Sequence, residues 1–484
     1  MDQDLYLYES ISLQLRRHIE SGSYQPGQRL PSVRRLSRLF NTSVNTIIQC
    51  LRQLEQENYI EIKDRSGTFV AACPPINTIG VADFELLPVE VSLSDDILHY
   101  MEPHHQSEIV HLGIALPDPR LMPIERVMTT LRDITRKQPL EVWDYSHPHG
   151  HQRFTLQLAR RSLHYPNPFS QDDLIVTNGC MEAIDLALRT VTRPGDTVAV
   201  ESPTYYGTLL ALEVLRRKVL EIPTCPSEGI CLKTLEQAFK YRRVNACLVS
   251  PNAQNPLGFT MSEENKQRMV ELATRYEIPI IENDVWGDTL YAEGAMPAKA
   301  HDHAGMVLYC HSFSKSLMPG LRLGWIAPGR FHHRLRELKL VSSITTASTP
   351  QLLMARLMES GSYAQHLLSL RQQLATQAAQ IRNAVLAHFP QGTTVMQPSG
   401  GCVLWISLPQ HMDASGLFDE ALQSGIHIFP GRVFSPRQQY AHCLRLNVGS
   451  PVDADILGAV RQLGDIAKAR EISPPHRRAD ELTG

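Results

Sequence analysis

Residues 311–325 decide the fold, and they read His-Ser-Phe-Ser-Lys-Ser-Leu-Met-Pro-Gly-Leu-Arg-Leu-Gly-Trp. The lysine, Lys315, follows an apolar run over residues 306–310 that is typical of a buried strand. A lysine reacts with a carbonyl compound only as the neutral amine, which requires partial desolvation or neighbouring cations. Ser312, Ser314 and Arg322 add hydroxyl groups and a forked cation that suit a phosphate. Taken alone, Lys315 could equally be an exposed lysine at a strand end, so its neighbours decide the interpretation.

The chain around this stretch alternates between apolar strands and helical patterns from about residue 109 onward. Strands are predicted over residues 174–177, 197–201, 246–250, 278–282, 306–310 and 323–327. Such alternation predicts an α/β fold, with a parallel sheet covered by helices. After Pro350 the pattern is helical up to about His388, and strands over residues 401–407 and 443–448 then indicate a smaller α+β subdomain.

The loops that follow these strands carry residues suited to a ligand, and such loops meet at one edge of a parallel sheet. A glycine turn that opens a helix can bind a phosphate through its amides. An asparagine fixed in a proline–glycine turn is costly to bury without a partner. A single loop of this kind is compatible with an ordinary turn, and the prediction depends on the whole set. The candidate residues are Gly179, Cys180, Met181, Tyr205, Asn255, Asn283, Asp284, Ser312, Ser314, Lys315 and Arg322.

In order and spacing, this set resembles the cofactor pocket of fold-type I pyridoxal phosphate (PLP) enzymes, the aminotransferase group. The resemblance implies that Lys315 forms the Schiff base with PLP and that Asn255 binds the phenolate oxygen of the cofactor. Tyr205 would stack on the ring, and the phosphate would be held by Gly179, Cys180, Ser312 and Arg322.

The same resemblance implies two roles for residues outside the strand-end loops. Arg445 matches the arginine that grips a substrate carboxylate, and Tyr145 matches a tyrosine that reaches the phosphate of the neighbouring subunit. The implied assembly is a homodimer.

The end of the fourth strand departs from the family pattern. The family usually has Asp-x-x-Tyr there, and its aspartate keeps the pyridine nitrogen protonated, whereas this chain has Asn283 and Trp286. Asp284 lies one residue later, where alternation along a strand would direct it elsewhere. If Asn283 is the partner of the ring, the cofactor is a weaker electron sink, and if Asp284 takes that place the sink is intact.

The first 72 residues predict three short helices followed by a hairpin, which is the pattern of a winged helix-turn-helix. Apolar residues at helical spacing mark the helices, and short β-prone runs on either side of a Gly-containing turn mark the wing. The apolar positions are Ile11, Leu15 and Ile19 in the first helix, Val33, Leu36 and Phe40 in the second, and Val44, Ile47, Ile48, Leu51 and Leu54 in the third.

The helix-turn-helix is basic although the chain as a whole carries a net charge of −3. Between Gln28 and Arg52 there are five arginines and no acidic residue, which favours contact with phosphates. Residues 25–34 and 67–70 closely resemble the winged-helix domain of GntR-type regulators. The predicted DNA-binding residues are Arg29, Arg34, Arg35, Ser43, Asn45, Thr46, Gln49, Arg52 and Gly67.

The composition of the chain fits an ordinary globular protein with several domains. It has 484 residues, of which 43% are hydrophobic and 20% are charged. Nine scattered cysteines without a Cys-x-x-Cys pair argue against a zinc ribbon or a disulfide framework. The acidic start lacks the apolar region of a signal peptide and no run approaches transmembrane length, so we expect a cytoplasmic protein without a membrane partner.

The resulting organisation is a winged helix-turn-helix over residues 1–72, a linker over 73–105, a PLP-binding domain over 106–470 and a disordered tail over 471–484. This layout resembles the MocR group of bacterial regulators. It implies a PLP-dependent regulator that binds operator DNA and senses a small amine or amino acid. The alternative is an active aminotransferase with an accessory DNA-binding domain, and the departure at Asn283 and Trp286 favours the regulator.

Overall fold

The computed structural model describes residues 27–40, 42–56, 59–63, 67–70, 87–105, 109–226 and 228–472, together with residues 8, 11, 12, 14, 15, 19 and 24. The chain divides into two compact units, a smaller one that comprises Met1–Glu85 and Cys225–Glu228 and a larger one that comprises Leu86–Thr224 and Gly229–Gly484. Except for its first two residues, which are helical, the predicted tail over 471–484 lies outside the described residues.

The smaller unit is a winged helix. Helices α1 (Val33–Leu39) and α2 (Val44–Gln56) precede an antiparallel hairpin of β1 (Ile60–Lys63) and β2 (Gly67–Val70). The apolar positions predicted for the first helix are helical and buried where they are described. The core contains the following side chains: Ile11, Leu15, Ile19, Leu36, Ile47, Cys50, Leu51, Leu54 and Ile60. The prediction of a winged helix-turn-helix is confirmed.

Helix α2 is the third helix predicted from the sequence, and the prediction of its buried apolar positions is partly wrong. Val44 and Ile48 are 43% and 37% exposed, whereas Cys50 is buried. Because each residue turns the helix by about 100°, the positions of Ile47 and Cys50 define the inward face and those of Val44 and Ile48 lie at its edge. Two apolar side chains are therefore left on the outer surface of the helix.

The larger unit alternates strands and helices, as the sequence predicts. Its described elements, in chain order, are α3 (Ser94–Met101), β3 (Val110–His111), α4 (Ile124–Lys137), α5 (Pro139–Trp143), α6 (Gln152–Arg161), β4 (Ile175–Thr177), α7 (Cys180–Val191), β5 (Thr197–Ser202), α8 (Tyr206–Val214), β6 (Lys218–Cys225), β7 (Gly229–Ile230), α9 (Leu232–Lys240), β8 (Ala246–Val249), α10 (Glu263–Tyr276), β9 (Ile280–Asn283), β10 (Val307–Ser312), β11 (Gly324–Ala327), α11 (His332–Ser343), α12 (Ser348–Glu359), α13 (Ser362–His388), β12 (Thr394–Val395), β13 (Val403–Ser407), α14 (Ala414–Gln423), β14 (Ile426–His427), β15 (Phe429–Pro430), β16 (Cys443–Asn447) and α15 (Ala454–Ile472). Short 3-10 turns lie between several of them.

The main sheet has the strand order β4-β11-β10-β9-β8-β5-β6-β7. Its central strands are parallel, but β11 runs antiparallel to both β10 and β4, so the sheet is mixed rather than wholly parallel as expected. The reason is the short connection from Ser312 to Gly324, since a parallel crossover needs a dozen or more residues and usually a helix. A smaller sheet, β12-β13-β16-β15, forms the predicted C-terminal subdomain.

The second half of the predicted linker is part of the larger unit. Residues 71–86 lie outside the described part, but Val89 forms an antiparallel bridge with Val219, and the amide of Leu93 donates to Glu213 at 2.9 Å. Ile97 and Tyr100 of α3 are buried in the main core. Residues 94–101, which the sequence pattern assigned to the linker, therefore form a short helix with one buried face.

Candidate functional site

A cavity of about 200 Å³ lies where the strands of the main sheet end, and it collects most of the predicted cofactor residues. Those that line it are Cys180, Met181, Tyr205, Asn255, Asn283, Ser312, Ser314, Lys315, Arg322 and Arg445. Gly179 precedes the first of them and is the N-cap of α7. Asp284 and Tyr145 are not among the lining residues, and Tyr145 is 80% exposed.

Lys315 has the properties that reaction with a carbonyl compound requires. Its Nζ donates to the carbonyl oxygen of Ala115 at 2.6 Å and lies 5.4 Å from the centre of the Trp286 ring. Burial lowers the pKa of Lys315 to about 8, and the cations Arg445 and Arg322 act in the same direction. A substantial fraction of the amine is therefore neutral just above physiological pH.

The first turn of α7 and Arg322 form a cup for an anion. Gly179 has a φ of +87°, and a Cβ atom on it would lie 2.6 Å from Nη2 of Arg322, so this position requires glycine. Arg322 Nη2 donates to the carbonyl oxygen of Asn178 at 3.2 Å. The free amides at the start of α7 and the hydroxyl groups of Ser312 and Ser314 complete a cup that fits a phosphate.

Arg445 is fully buried on β16, and no ion pair is found for it among the described residues. Its Nη1 donates to Asn255 Oδ1 at 3.0 Å and its Nη2 donates to the carbonyl oxygen of Gly113 at 2.7 Å, while its Nε has no partner. The guanidinium lies within 5.5 Å of the ring centres of Tyr206, Phe429 and Phe434. A buried cation held only by neutral groups is suited to an incoming carboxylate.

The two candidates at the end of β9 face opposite sides of the sheet. Asn283 lines the cavity, and its Oδ1 accepts a hydrogen bond from the thiol of Cys180 at 3.4 Å. Asp284 points the other way, where it accepts hydrogen bonds from Asn252 at 3.1 Å and from the hydroxyl of Tyr309 at 2.7 Å. Of the two alternatives that the sequence leaves open, the cavity contains the asparagine.

Several lining residues were missed by sequence reasoning: Ile114, Ala115, Ile184, Tyr206, Ser250, Val285 and Trp286. Trp286 was noted as a departure but not assigned to the site. Ile114 and Ala115 are apolar residues in a segment far upstream that carries no recognisable motif, so no sequence signal identifies them. Tyr206, next to Tyr205, could have been found from its position after β5.

The winged helix displays most of its predicted DNA-binding residues. The side chains of Arg29, Arg34, Arg35, Ser43, Asn45, Gln49 and Arg52 are exposed, and Thr46 and Gly67 are half-buried. Ser43 also caps α2, because its Oγ accepts a hydrogen bond from the amide of Thr46 at 3.1 Å. A Cβ atom on Gly67 would lie 2.7 Å from Nε of Arg29, so the wing tip and this arginine are neighbours.

None of the helices in the described part of the chain is long and apolar enough to cross a membrane. The same residues contain no group of three or more histidine, cysteine or acidic side chains that could hold a metal ion.

Comparison with known families divides the chain in the same way. Residues 109–461 match the family described as aminotransferase class I and II. Residues 7–70 match the gntR family of bacterial regulatory proteins.

Individual relatives match either the whole chain or its larger part. The chain is 35% identical over 468 residues to the uncharacterized HTH-type transcriptional regulator YdcR of Escherichia coli, covering 96% of this chain and 99% of that protein. It is 28% identical over 370 residues to aromatic-amino-acid aminotransferase 1 of Thermococcus litoralis, covering 75% of this chain and 88% of that protein. A crystal structure of kynurenine aminotransferase from Pyrococcus horikoshii matches with a TM-score of 0.72 and 28% identity, covering 79% of this chain and 95% of that one.

Proposed function

Because the chain belongs to the aminotransferase class I and II family and carries an N-terminal gntR-family domain, we propose that it is a PLP-dependent, DNA-binding transcriptional regulator of the MocR type. The observation that carries this proposal is that one chain has both a half-buried lysine beside a site that fits a phosphate and an exposed basic helix-turn-helix. The full-length similarity to a regulator rather than to an aminotransferase alone supports it.

The residues of the cavity fit PLP. Lys315 would attach it, the cup at Gly179 and Arg322 would bind its phosphate, and Tyr205 and Asn255 would hold its ring. When bound, PLP supplies an aldehyde that reacts reversibly with amines and a ring that accepts negative charge. The protein would bind and orient the cofactor in a cavity whose wall combines these polar groups with apolar and aromatic side chains.

We infer that the molecule sensed at this site is a small amine or amino acid. Arg445 is the group that would select a carboxylate, because its Nε has no partner and its cationic head is fully buried. An amine without a carboxylate would leave this charge uncompensated, so the cavity favours an amino acid.

The asparagine in the cavity favours sensing over turnover. Since the thiol of Cys180 donates to Oδ1 of Asn283, the amide nitrogen Nδ2 remains as a donor. A donor at that place would suit an unprotonated pyridine nitrogen, which accepts charge poorly. The chain would then bind amines without readily removing the proton from their α-carbon.

The second candidate function is an aminotransferase with an accessory DNA-binding domain. Two observations favour it. The cavity contains the lysine together with residues that would bind a phosphate and a substrate carboxylate, and the chain is similar to a named aminotransferase. The rate of transamination separates the two functions, and its test is described in the Discussion.

DNA binding would use the outer surface of α2. Three exposed residues of this helix have side chains that can reach base edges or phosphates: Asn45, Gln49 and Arg52. The exposed apolar side chains of Val44 and Ile48 suit contact with the methyl groups of thymine. The side chains of α1 add Arg34 and Arg35 for phosphates, so we expect a major-groove complex that includes thymine.

The double change Arg34→Ala and Arg52→Ala should weaken binding to duplex DNA and flatten its salt dependence. Each lost phosphate contact removes about 0.9 from the slope of log K against log salt, so two contacts remove about 1.8. Fluorescence anisotropy over a salt series measures both quantities. Arg132→Ala, an exposed change on α4 of the larger unit, is the control and should alter neither. A double mutant with unchanged affinity and slope would place the DNA-binding surface elsewhere.

We also propose that the protein is a cytoplasmic homodimer. Leu140, Trp143 and Tyr145 are 80%, 90% and 80% exposed, and they form a short apolar segment at α5. Large exposed apolar side chains that lie close together in this way indicate a surface that another protein chain covers. Tyr145 lies outside the cavity of its own chain, which is consistent with a role in that of a second copy.

Trp143→Asp should therefore shift the protein from dimer to monomer, because it places a charge in the apolar contact. Sedimentation velocity measures the change, and Val214→Asp on α8, which is 73% exposed, is the control. A wild-type monomer at micromolar concentration, or a dimer that tolerates Trp143→Asp, would contradict the proposed interface.

A further inference from the structure

A second cavity, of about 550 Å³, lies on the opposite face of the main sheet from the cofactor cavity. Side chains alternate between the faces of a strand, so Asn283 and Ser312 line the first cavity while Asp284 and His311 line the second. Both cavities belong to the larger unit. The proposed function leaves the second one without a role.

Three buried polar atoms around this cavity have no hydrogen-bond partner. They are Oδ1 of Asn252, Nδ1 of His311 and Nε1 of Trp325, in side chains that are only 2%, 2% and 5% exposed. Each unpaired polar group costs stability when it is buried away from water. All three residues line this cavity, which favours a polar ligand there.

The charges of the lining residues leave one carboxylate without a cation. Arg161 pairs with Asp288, and Arg371 lies 3.8 Å from Glu293. Asp284 takes part in no ion pair among the described residues, and its two hydrogen-bond donors, Asn252 and Tyr309, are neutral. Burial raises the pKa of Asp284 above its usual range and the nearby carboxylate of Asp288 acts in the same direction, whereas Lys266, which does not line the cavity, acts in the opposite direction.

The unpaired groups are mainly acceptors. Nε2 of His311 lies 3.4 Å from Oδ2 of Asp288, which places the ring proton on Nε2 and leaves Nδ1 as an acceptor. Burial lowers the pKa of His311 to about 4, so the ring is neutral. The carboxylate of Asp284 and Oδ1 of Asn252 are the other acceptors, and the aromatic rings of Phe169 and Trp325 form part of the wall.

We propose that this second cavity binds a small organic ammonium ion with an apolar or aromatic body. The N–H groups of the ligand would be accepted by Asp284, Asn252 and His311, and its cationic end would also be stabilised by the aromatic wall. The site is distinct from the cofactor cavity and does not require a reaction with a carbonyl group.

The test uses a probe that cannot form a Schiff base with an aldehyde, the tertiary amine N,N-dimethylphenethylamine, whose single N–H would be accepted by Asp284. Isothermal titration calorimetry of the full-length, PLP-saturated protein should show one saturable site per chain, with no change in cofactor absorbance. The neutral analogue 2-phenylethanol should bind at least about tenfold more weakly, because it brings no charge to Asp284.

Two variants locate the site, and a third is the control. Asp284→Asn should weaken binding of the amine by roughly tenfold or more, and Ala295→Phe, an exposed change at the mouth of the cavity, should block it. Asp455→Asn makes the same carboxylate-to-amide change at an exposed position of α15, outside the cavity, and should have little effect. The proposal is overturned if no saturable binding occurs, if the amine displaces or spectrally shifts the cofactor, or if Asp284→Asn and Ala295→Phe bind as the wild type does.

Discussion

Lys315→Ala should abolish covalent attachment of PLP and the visible absorbance that accompanies it. The wild-type amine lies in the cavity with a pKa of about 8, so it is partly neutral and able to react near physiological pH. No other lysine lines the cavity among the described residues. The phosphate cup at Gly179 and Arg322 is untouched by the change, so weaker, non-covalent binding of PLP should persist.

The measurement is the absorbance spectrum of protein saturated with PLP, followed by borohydride reduction and mass spectrometry of the labelled peptide. Lys137→Ala, at the exposed end of α4, is the matched control and should keep the wild-type spectrum. A wild-type protein that stays colourless with excess PLP, or a label on a peptide without Lys315, would contradict this part of the account.

Asn283→Asp should accelerate the single-turnover conversion of bound PLP to its pyridoxamine form by an amino acid. The new carboxylate would favour a protonated pyridine nitrogen, which the amide of Asn283 does not. A charge-assisted hydrogen bond contributes about 1.5–3 kcal/mol and each 1.36 kcal/mol is tenfold in rate, so we expect a gain of roughly 10- to 100-fold. The affinity for PLP should change little, because the attaching lysine and the phosphate cup are intact.

Rapid mixing of the PLP-loaded protein with an amino acid, monitored by absorbance, gives the conversion rate. Asp284→Asn is the comparison, since Asp284 lies on the other face of the sheet and should leave this rate near that of the wild type. Brisk conversion by the wild type would favour the aminotransferase alternative. If Asn283→Asp does not raise the conversion rate, this residue does not control the protonation of the pyridine nitrogen.

The fold was largely predictable because its elements follow local rules. Apolar runs of four or five residues placed six of the eight strands of the main sheet within one or two residues of where they occur. The strand β6 was missed because Glu221 and Pro223 interrupt its apolar run, although Glu221 is buried. The antiparallel direction of β11 depends on the length of its connection to β10, which strand patterns alone do not express.

The candidate site was predictable to the extent that it lies at strand ends. The positions of Lys315 and Asn255 follow from their places after apolar runs, and the choice between Asn283 and Asp284 required the actual direction of each side chain. The second cavity could not be predicted, because it combines residues far apart in sequence. His311 lies within the fold-deciding stretch, yet its proximity to Asp288 appears only in three dimensions.

The central claim is that one chain couples an amine-responsive PLP site to DNA binding. Genomic fragments bound by the purified, PLP-loaded protein would first be isolated, and the affinity for one of them measured with a panel of amino acids and amines. At least one compound should change that affinity in the wild type by roughly 5- to 150-fold, and the same compound should have no effect on Lys315→Ala. Failure to recover any specific fragment, or an equal response of the wild type and Lys315→Ala, would contradict the account.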